Sequence, residues 1–200
     1  MLATNPFGYL LSPETQWRYL ADKPLDSFVG MMAYPAFMAL LPAAAWHFGV
    51  TEIGWRVAQG DAVKLTPESA VPIIALFYFA MLGAVIVIGY LTHWMSQTYG
   101  AETSVAKGIS VIGFACTPLF LVGLVGFYPL LWLDLVAGIV AVCWALYLLY
   151  TGVPIVMRQP AEQGFLYASA IVAVAMVMVI CIMGGSVMLW DFGAAPVFSD

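Results

Sequence analysis

The chain has 200 residues, of which 64% are hydrophobic and 8% charged, with eleven acids against six bases and a net charge of -5. Soluble domains carry about a quarter of their residues as charges, so a soluble fold is excluded and an integral membrane protein is expected. The bases are scattered, which excludes the basic patch of a nucleic-acid interface. The apolar residues suffice for about five spans of roughly twenty residues joined by short loops. An all-α, polytopic five-transmembrane-helix bundle is therefore expected, with no soluble domain.

Residues 1–26 form an amino-terminal segment, NPFGYLLSPETQWRYLADKPLD from Asn5 onward, whose mixed polar and aromatic character is unlike a signal peptide. Ser12 stands where it can cap a helix that opens on Pro13, with Glu14 in the first turn, and that runs to about Ala21. Trp17, Tyr19 and Leu20, mixed with Arg18 and Lys23, suit a segment lying at the headgroup level.

The membrane domain follows over residues 27–190. Span one, about 27–47, contains Pro35 and Pro42, each of which removes a helical hydrogen bond and kinks the helix; Ala43, Ala44 and Ala45 permit close approach of a neighbour. A polar connection, with one short turn expected around Ile53 to Val57, leads to Thr66 as a cap, Pro67 at the first helical position and Glu68 in the first turn. These residues open span two, about 69–95.

Between Lys107 and Arg158 the only charge is Asp134. A continuous helix of that length would reach roughly 75 Å, more than twice the apolar core, so it must fold back as a hairpin. Phe127, Tyr128 and Pro129 mark the break, giving span three at about 108–126 and span four at about 130–151. Ala137, Ala141 and Ala145 form a small-residue ridge on span four. Span five, about 164–190, carries Gly184, Gly185 and Ser186, which are expected to loosen its far end. A tail, 191–200, closes the chain.

Lysine and arginine counts set the orientation. Arg18, Lys23, Lys107 and Arg158 lie on one side, and Arg56 and Lys64 on the other. The basic side stays in the cytoplasm, which puts the amino terminus inside and the carboxy terminus outside.

Few residues offer chemistry. Asp134 is the polar candidate within a span, where a carboxylate is costly and often functional. It also lies about 6 Å from the hairpin turn, near the positive end of span four, which fits an interfacial carboxylate. His47 and His93 end spans one and two on opposite sides and cannot share a metal. Cys116, Cys143 and Cys181 read as small buried hydrophobes. Ser110, Thr117 and Ser186 are expected to bond their own helix carbonyls, and Trp144, Tyr147 and Tyr150 to form an interfacial aromatic cluster. No catalytic, cofactor-binding or metal-binding set is found, and no enzyme is expected.

The stretch SVIGFACTP, Ser110 to Pro118, resembles the glycine-aromatic-three-residue-proline motif of the Yip (Ypt-interacting protein) family through Gly113, Phe114 and Pro118. The stretch WALYLLYTGVPIVMRQP is similar to the corresponding segment of bacterial Yip-one domain proteins through Trp144, Tyr147, Tyr150, Gly152 and Pro154. The leader NPFGYLLSPETQW resembles theirs. The resemblance implies five spans in a bacterial inner membrane, with a cytoplasmic amino terminus and a periplasmic carboxy terminus. Eukaryotic members are associated with Rab-type GTPases. The absence here of a long cytoplasmic amino-terminal region and of the DLYGP motif argues against GTPase binding. The expected function is a membrane adaptor, scaffold or membrane-organising protein. Its partners are the lipid bilayer and another membrane protein or a second copy of itself. The alternative is a small transporter or channel that uses Asp134, with kinked span one as its moving part.

Overall fold

Helices occupy the apolar stretches throughout. The computed structural model describes residues 6–22, 28–56, 61–101, 103–191 and 195–199. Four helices are long and apolar enough to cross a membrane, Gly30–Ile53, Pro67–Met95, Leu131–Val156 and Ala161–Leu189, and the pair Val105–Ala115 and Thr117–Phe127, bent by 42°, makes a fifth when counted as one span. The chain is an all-α polytopic membrane protein.

In chain order the helices are α1 (Pro6–Leu11), α2 (Pro13–Asp22), α3 (Phe28–Phe48), α4 (Pro67–Met95), α5 (Val105–Ala115), α6 (Thr117–Val122), α7 (Leu131–Val156) and α8 (Ala161–Leu189). A π-helical turn, Gly49–Ile53, extends α3, and a 3-10 turn, Gly123–Phe127, follows α6. Two short strands, β1 (Lys64–Leu65) and β2 (Phe198–Ser199), pair antiparallel with Lys64 opposite Ser199 and Leu65 opposite Phe198. Lys23, Ser27, Val57 and Asp200, all used in the sequence reading, lie outside the described residues. We call the end bearing α1 and α2 proximal, and the end bearing β1, β2 and the 127–130 turn distal.

The third span is not the continuous helix expected at 108–126. Pro118 has no amide to give to the Phe114 carbonyl four residues back, so the α-helical ladder fails there. The Thr117 hydroxyl donates to that carbonyl instead at 2.6 Å and shares a second bond of 2.7 Å with the Tyr34 hydroxyl. Cys116 stands at the break, and the helix restarts at Thr117.

Glycines set how closely the helices approach. A Cβ built on Gly108 would lie 2.3 Å from the Gly89 carbonyl oxygen, so α4 and α5 meet backbone to backbone. The prolines of α3 sit in glycine notches of the third span. A Cβ on Gly113 would touch Pro35 at 3.4 Å, one on Gly123 would clash with Pro42 at 2.2 Å, and one on Gly126 with Trp46 at 2.6 Å. The irregular face of α3 is thereby matched by a partner that lacks side chains where α3 protrudes. α8 packs on α4 and α7.

Several expectations need correction. Thr66 stands at the N-cap of α4, yet its hydroxyl makes no capping bond; its amide is held by the Val197 carbonyl at 2.9 Å. α7 runs past Thr151 to Val156 with Pro154 inside it. The segment Gly184 to Ser186 stays helical within α8, and Ser186 bonds the Met183 carbonyl at 2.7 Å. Cys143 and Cys181 are exposed on the outside of the bundle and Cys116 is half-buried, so they are not a buried set. Of the alanine ridge, Ala141 is buried and Ala137 and Ala145 are half-buried.

Candidate functional site

Two places gather the sequence-derived candidates. At the proximal end α2 is amphipathic: Trp17, Leu20 and Ala21 are buried at helical spacing, while Glu14, Arg18, Tyr19 and Asp22 face outward. Trp17 lies over Gly152 of α7, where a Cβ would stand 2.6 Å from the indole. Only glycine leaves room for that ring. Tyr9 of α1 meets Trp17 edge-on at 4.9 Å and stacks on Phe114 at 4.4 Å with an interplanar angle of 11°. Phe114 in turn touches Tyr34 at 4.4 Å. Four rings from α1, α2, α3 and α5 thus form one continuous stack.

Phe114 lies about 13 Å along α5 from its start, at 1.5 Å per residue, so α1 reaches well inside the proximal rim. Trp17 and Leu20, read from the sequence as part of a headgroup-level segment, are packed against the protein, at 0% and 1% exposure. The physical reason is the Gly152 notch, which offers the indole a closely packed wall. Burial, with smaller contributions from the Tyr34 and Tyr19 phenols, holds the Tyr9 hydroxyl well above the ordinary tyrosine range. It stays a neutral phenol, and neither its oxygen nor the Trp17 Nε1 has a hydrogen-bond partner among the described residues.

Polar contacts close the edge of this site. Lys107 Nζ donates to the Ala21 carbonyl at 2.9 Å, meeting the negative carboxy end of α2. Arg158 pairs with Asp22 at 3.2 Å in an exposed position, where such pairs contribute about 0–1 kcal/mol. Tyr167 donates to the Thr92 carbonyl and joins α8 to α4.

The distal end is built differently. The α3–α4 connection and the tail fold over it: Trp55 bridges Val63, Arg56 bridges Leu130, and β1 pairs with β2. Val197 donates its amide to Ser69 Oγ at 3.1 Å. Beneath this cap lies a cavity of about 460 Å³ lined by Trp46, Trp55, Leu65, Asp134, Leu135 and Phe198, among others. Asp134 occupies the first turn of α7 and is half-buried.

The protein-family model described as "Yip1 domain" matches residues 7–182. The chain belongs to the Yip1 domain family. Two relatives, both called "Inner membrane protein YohC", one from Escherichia coli strain K12 and one from E. coli O6:H1 strain CFT073, are each 35% identical over 156 residues, covering 78% of this chain and 80% of the relative. No solved structure matches.

Within this Yip1 domain the motif residues divide. Gly113 faces Pro35, Phe114 carries the aromatic stack, Pro118 sets the bend, Gly152 seats Trp17, and Pro154 packs where a Cβ on Gly164 would lie 2.6 Å away. Gly113, Phe114, Gly152 and Pro154 are brought to the proximal half, and Pro118 stands near the middle of the third span. Trp144 and Tyr147 pair at 5.6 Å on the exposed flank of α7. Tyr150 does not join them: it packs on Phe165 at 5.1 Å and shares a 2.9 Å bond with Ser169, facing α8. The expected three-ring cluster is therefore two separate contacts. His47 and His93 close α3 and α4, and among the described residues no group of three or more His, Cys, Asp or Glu is placed to hold a metal. Sequence reasoning missed Tyr9 and Tyr34 as parts of the stack. The spacing of Trp17, Leu20 and Ala21 was the available sign that α2 has a buried face.

Proposed function

We propose that this Yip1-domain protein is a non-enzymatic adaptor of the bacterial inner membrane, which holds another membrane protein, or organises lipid, around its helix bundle. The observation that carries this reading is the docked α1–α2 pair. Motif residues Phe114 and Gly152 fix it against the bundle, and its outward residues Glu14, Arg18 and Asp22 then form a rigid polar platform beside the spans. The flank of α8 at Val177, Ile180 and Met183 is exposed and apolar, as a membrane-facing surface would be. Both relatives are named as inner membrane proteins, and the count of basic residues supports a cytoplasmic platform and a periplasmic tail.

Photocrosslinking residues at Arg18 and at Ile180, in native membranes, test the reading. A reproducible protein adduct at either position is expected. Adducts to lipid alone, with a monomeric protein, would speak against an adaptor of other proteins. A reporter fused after Asp200 tests the orientation, which fails if the reporter is cytoplasmic.

Transport through Asp134 is the second reading, favoured by the cavity at that residue. It requires α3 to move, whereas Pro35 and Pro42 are seated against Gly113 and Gly123. Flux into liposomes that is absent, or unchanged by Asp134→Asn, removes it.

A further inference from the structure

The distal cavity contains a carboxylate that the fold leaves unmatched. Asp134 Oδ2 is shielded from solvent and has no hydrogen-bond partner among the described residues. A carboxylate oxygen in that state is costly unless a donor or a cation meets it. The ion pairs among the described residues, Glu14 with Arg18 and Asp22 with Arg158, are both at the proximal end. Among the described residues neither Arg56 nor Lys64, the bases of the distal cap, forms an ion pair with Asp134.

The walls say what kind of cation fits. Trp46, Trp55 and Phe198 line the same space, and Leu65, Leu131 and Leu135 supply apolar surface. A hard metal ion needs six or more oxygens, and a single carboxylate among rings and leucines does not provide them. An anion is repelled by Asp134. An organic ammonium satisfies every wall: its charge meets the carboxylate, its N–H or N–CH groups lie on aromatic faces, and its carbon stem contacts leucine. The volume, about 460 Å³, is that of a small-ligand site. The first turn of α7 is also near the interface, where such a group is available. We propose that the distal cavity binds an organic ammonium group, supplied either by an aminophospholipid headgroup or by a free alkylamine.

The test uses the full chain in an uncharged maltoside detergent. Hexylammonium and hexanol are titrated by calorimetry against wild type, Asp134→Asn and Asp134→Glu. Charge-assisted bonding predicts that wild type binds hexylammonium about tenfold more tightly than hexanol, that Asp134→Asn loses this preference and that Asp134→Glu keeps it. Equal affinities for the two probes in wild type, or a preference that survives in Asp134→Asn, overturn the proposal. If Asp134→Asn does not purify as a folded protein, Trp55→Leu replaces it. Loss of one aromatic face is then expected to lower the ammonium-over-alcohol preference by about threefold, and an unchanged preference overturns the proposal. Native mass spectrometry with equal phosphatidylethanolamine and phosphatidylglycerol distinguishes the sources. Ethanolamine lipid retained by wild type and lost from Asp134→Asn points to the headgroup. No difference in lipid, alongside a lost hexylammonium preference, points to a free amine.

Discussion

The two ends of the bundle solve the same problem of closing a set of helices in opposite ways. At the proximal end large rings enter glycine notches: Trp17 over Gly152, with Tyr9, Phe114 and Tyr34 stacked beside it. At the distal end two residues of β1 and two of β2, with single bridges at Trp55 and Arg56, lie over an open cavity. The proximal end therefore draws its stability from close packing, in which one added methyl group is felt. Pro42 and Trp46 fill notches at Gly123 and Gly126 beneath the distal end too, but its outer cap rests on a few backbone hydrogen bonds, and a two-stranded pair of that size is only marginally stable alone. Close packing belongs with the docked α1–α2 pair and open space with the distal cavity.

The comparison can be broken by filling the notches. Gly108→Val places side-chain atoms where the Gly89 carbonyl oxygen lies 2.3 Å from a Cβ. Overpacking against backbone is expected to cost about 3 kcal/mol or more, read as a large fall in the thermal midpoint of the detergent-solubilised protein. A change of less than a third of that would mean that α4 and α5 are not in backbone contact.

Trp17→Ala should come next. Removing a buried indole costs about 3–5 kcal/mol in a water-soluble core, and the lower end applies here because the released face meets the interface rather than bulk water. Hydrogen exchange of residues 13–22 should accelerate strongly, while exchange at the distal end stays unchanged. Equal acceleration at both ends would show that the two are one cooperative unit.

Smaller effects sharpen the contrast further. Tyr34→Phe removes the 2.7 Å bond to Thr117 and is expected to cost about 1 kcal/mol by denaturant midpoint. At the distal end Phe198 is mostly exposed, so Phe198→Ala should change stability by no more than about 0.5 kcal/mol. Tyr9→Phe is expected to be neutral or slightly stabilising, because it deletes a buried hydroxyl that has no partner and keeps the ring stack.

The Tyr9 hydroxyl also gives the docking a pH signature. With its pKa raised in the docked state, an undocked Tyr9 ionises from about pH 10, whereas the docked one stays neutral. Docking is thus unaffected below that pH and weakens as pH rises above it. Tyr9→Phe should abolish this dependence in hydrogen exchange of α2. A dependence that persists in the variant would place its origin elsewhere.

Much of the architecture could be read from residues close together in the chain. The apolar runs, the break at Phe127 to Pro129, and the Thr66-Pro67-Glu68 start of α4 all depend on local chemistry: hydropathy, a missing amide, a residue suited to the first turn. The motif residues were visible as a pattern, but what each one does was not. Gly152 acquires its purpose only from Trp17, far away in the chain, and Gly123 only from Pro42. The bend at Cys116 follows from Pro118 and was nonetheless missed, since a proline in an apolar run is compatible with a kinked or a straight reading until Thr117 and Tyr34 are seen to take up the freed carbonyl and hydroxyl.

The sequence by itself determined that this is a helical membrane protein, because burial in lipid demands long apolar helices and that demand is written residue by residue, and its motif residues carried the likeness to the Yip family. Only the tertiary structure decided that α1 and α2 belong to the bundle, that Tyr150 turns toward α8, and that Asp134 lies beneath a cap with its Oδ2 unpartnered among the described residues. Those facts depend on which helix faces meet, and in an almost uniformly apolar chain hydropathy does not distinguish a face turned to lipid from one turned to another helix. Shape does, through the glycine notches and the rings that fill them.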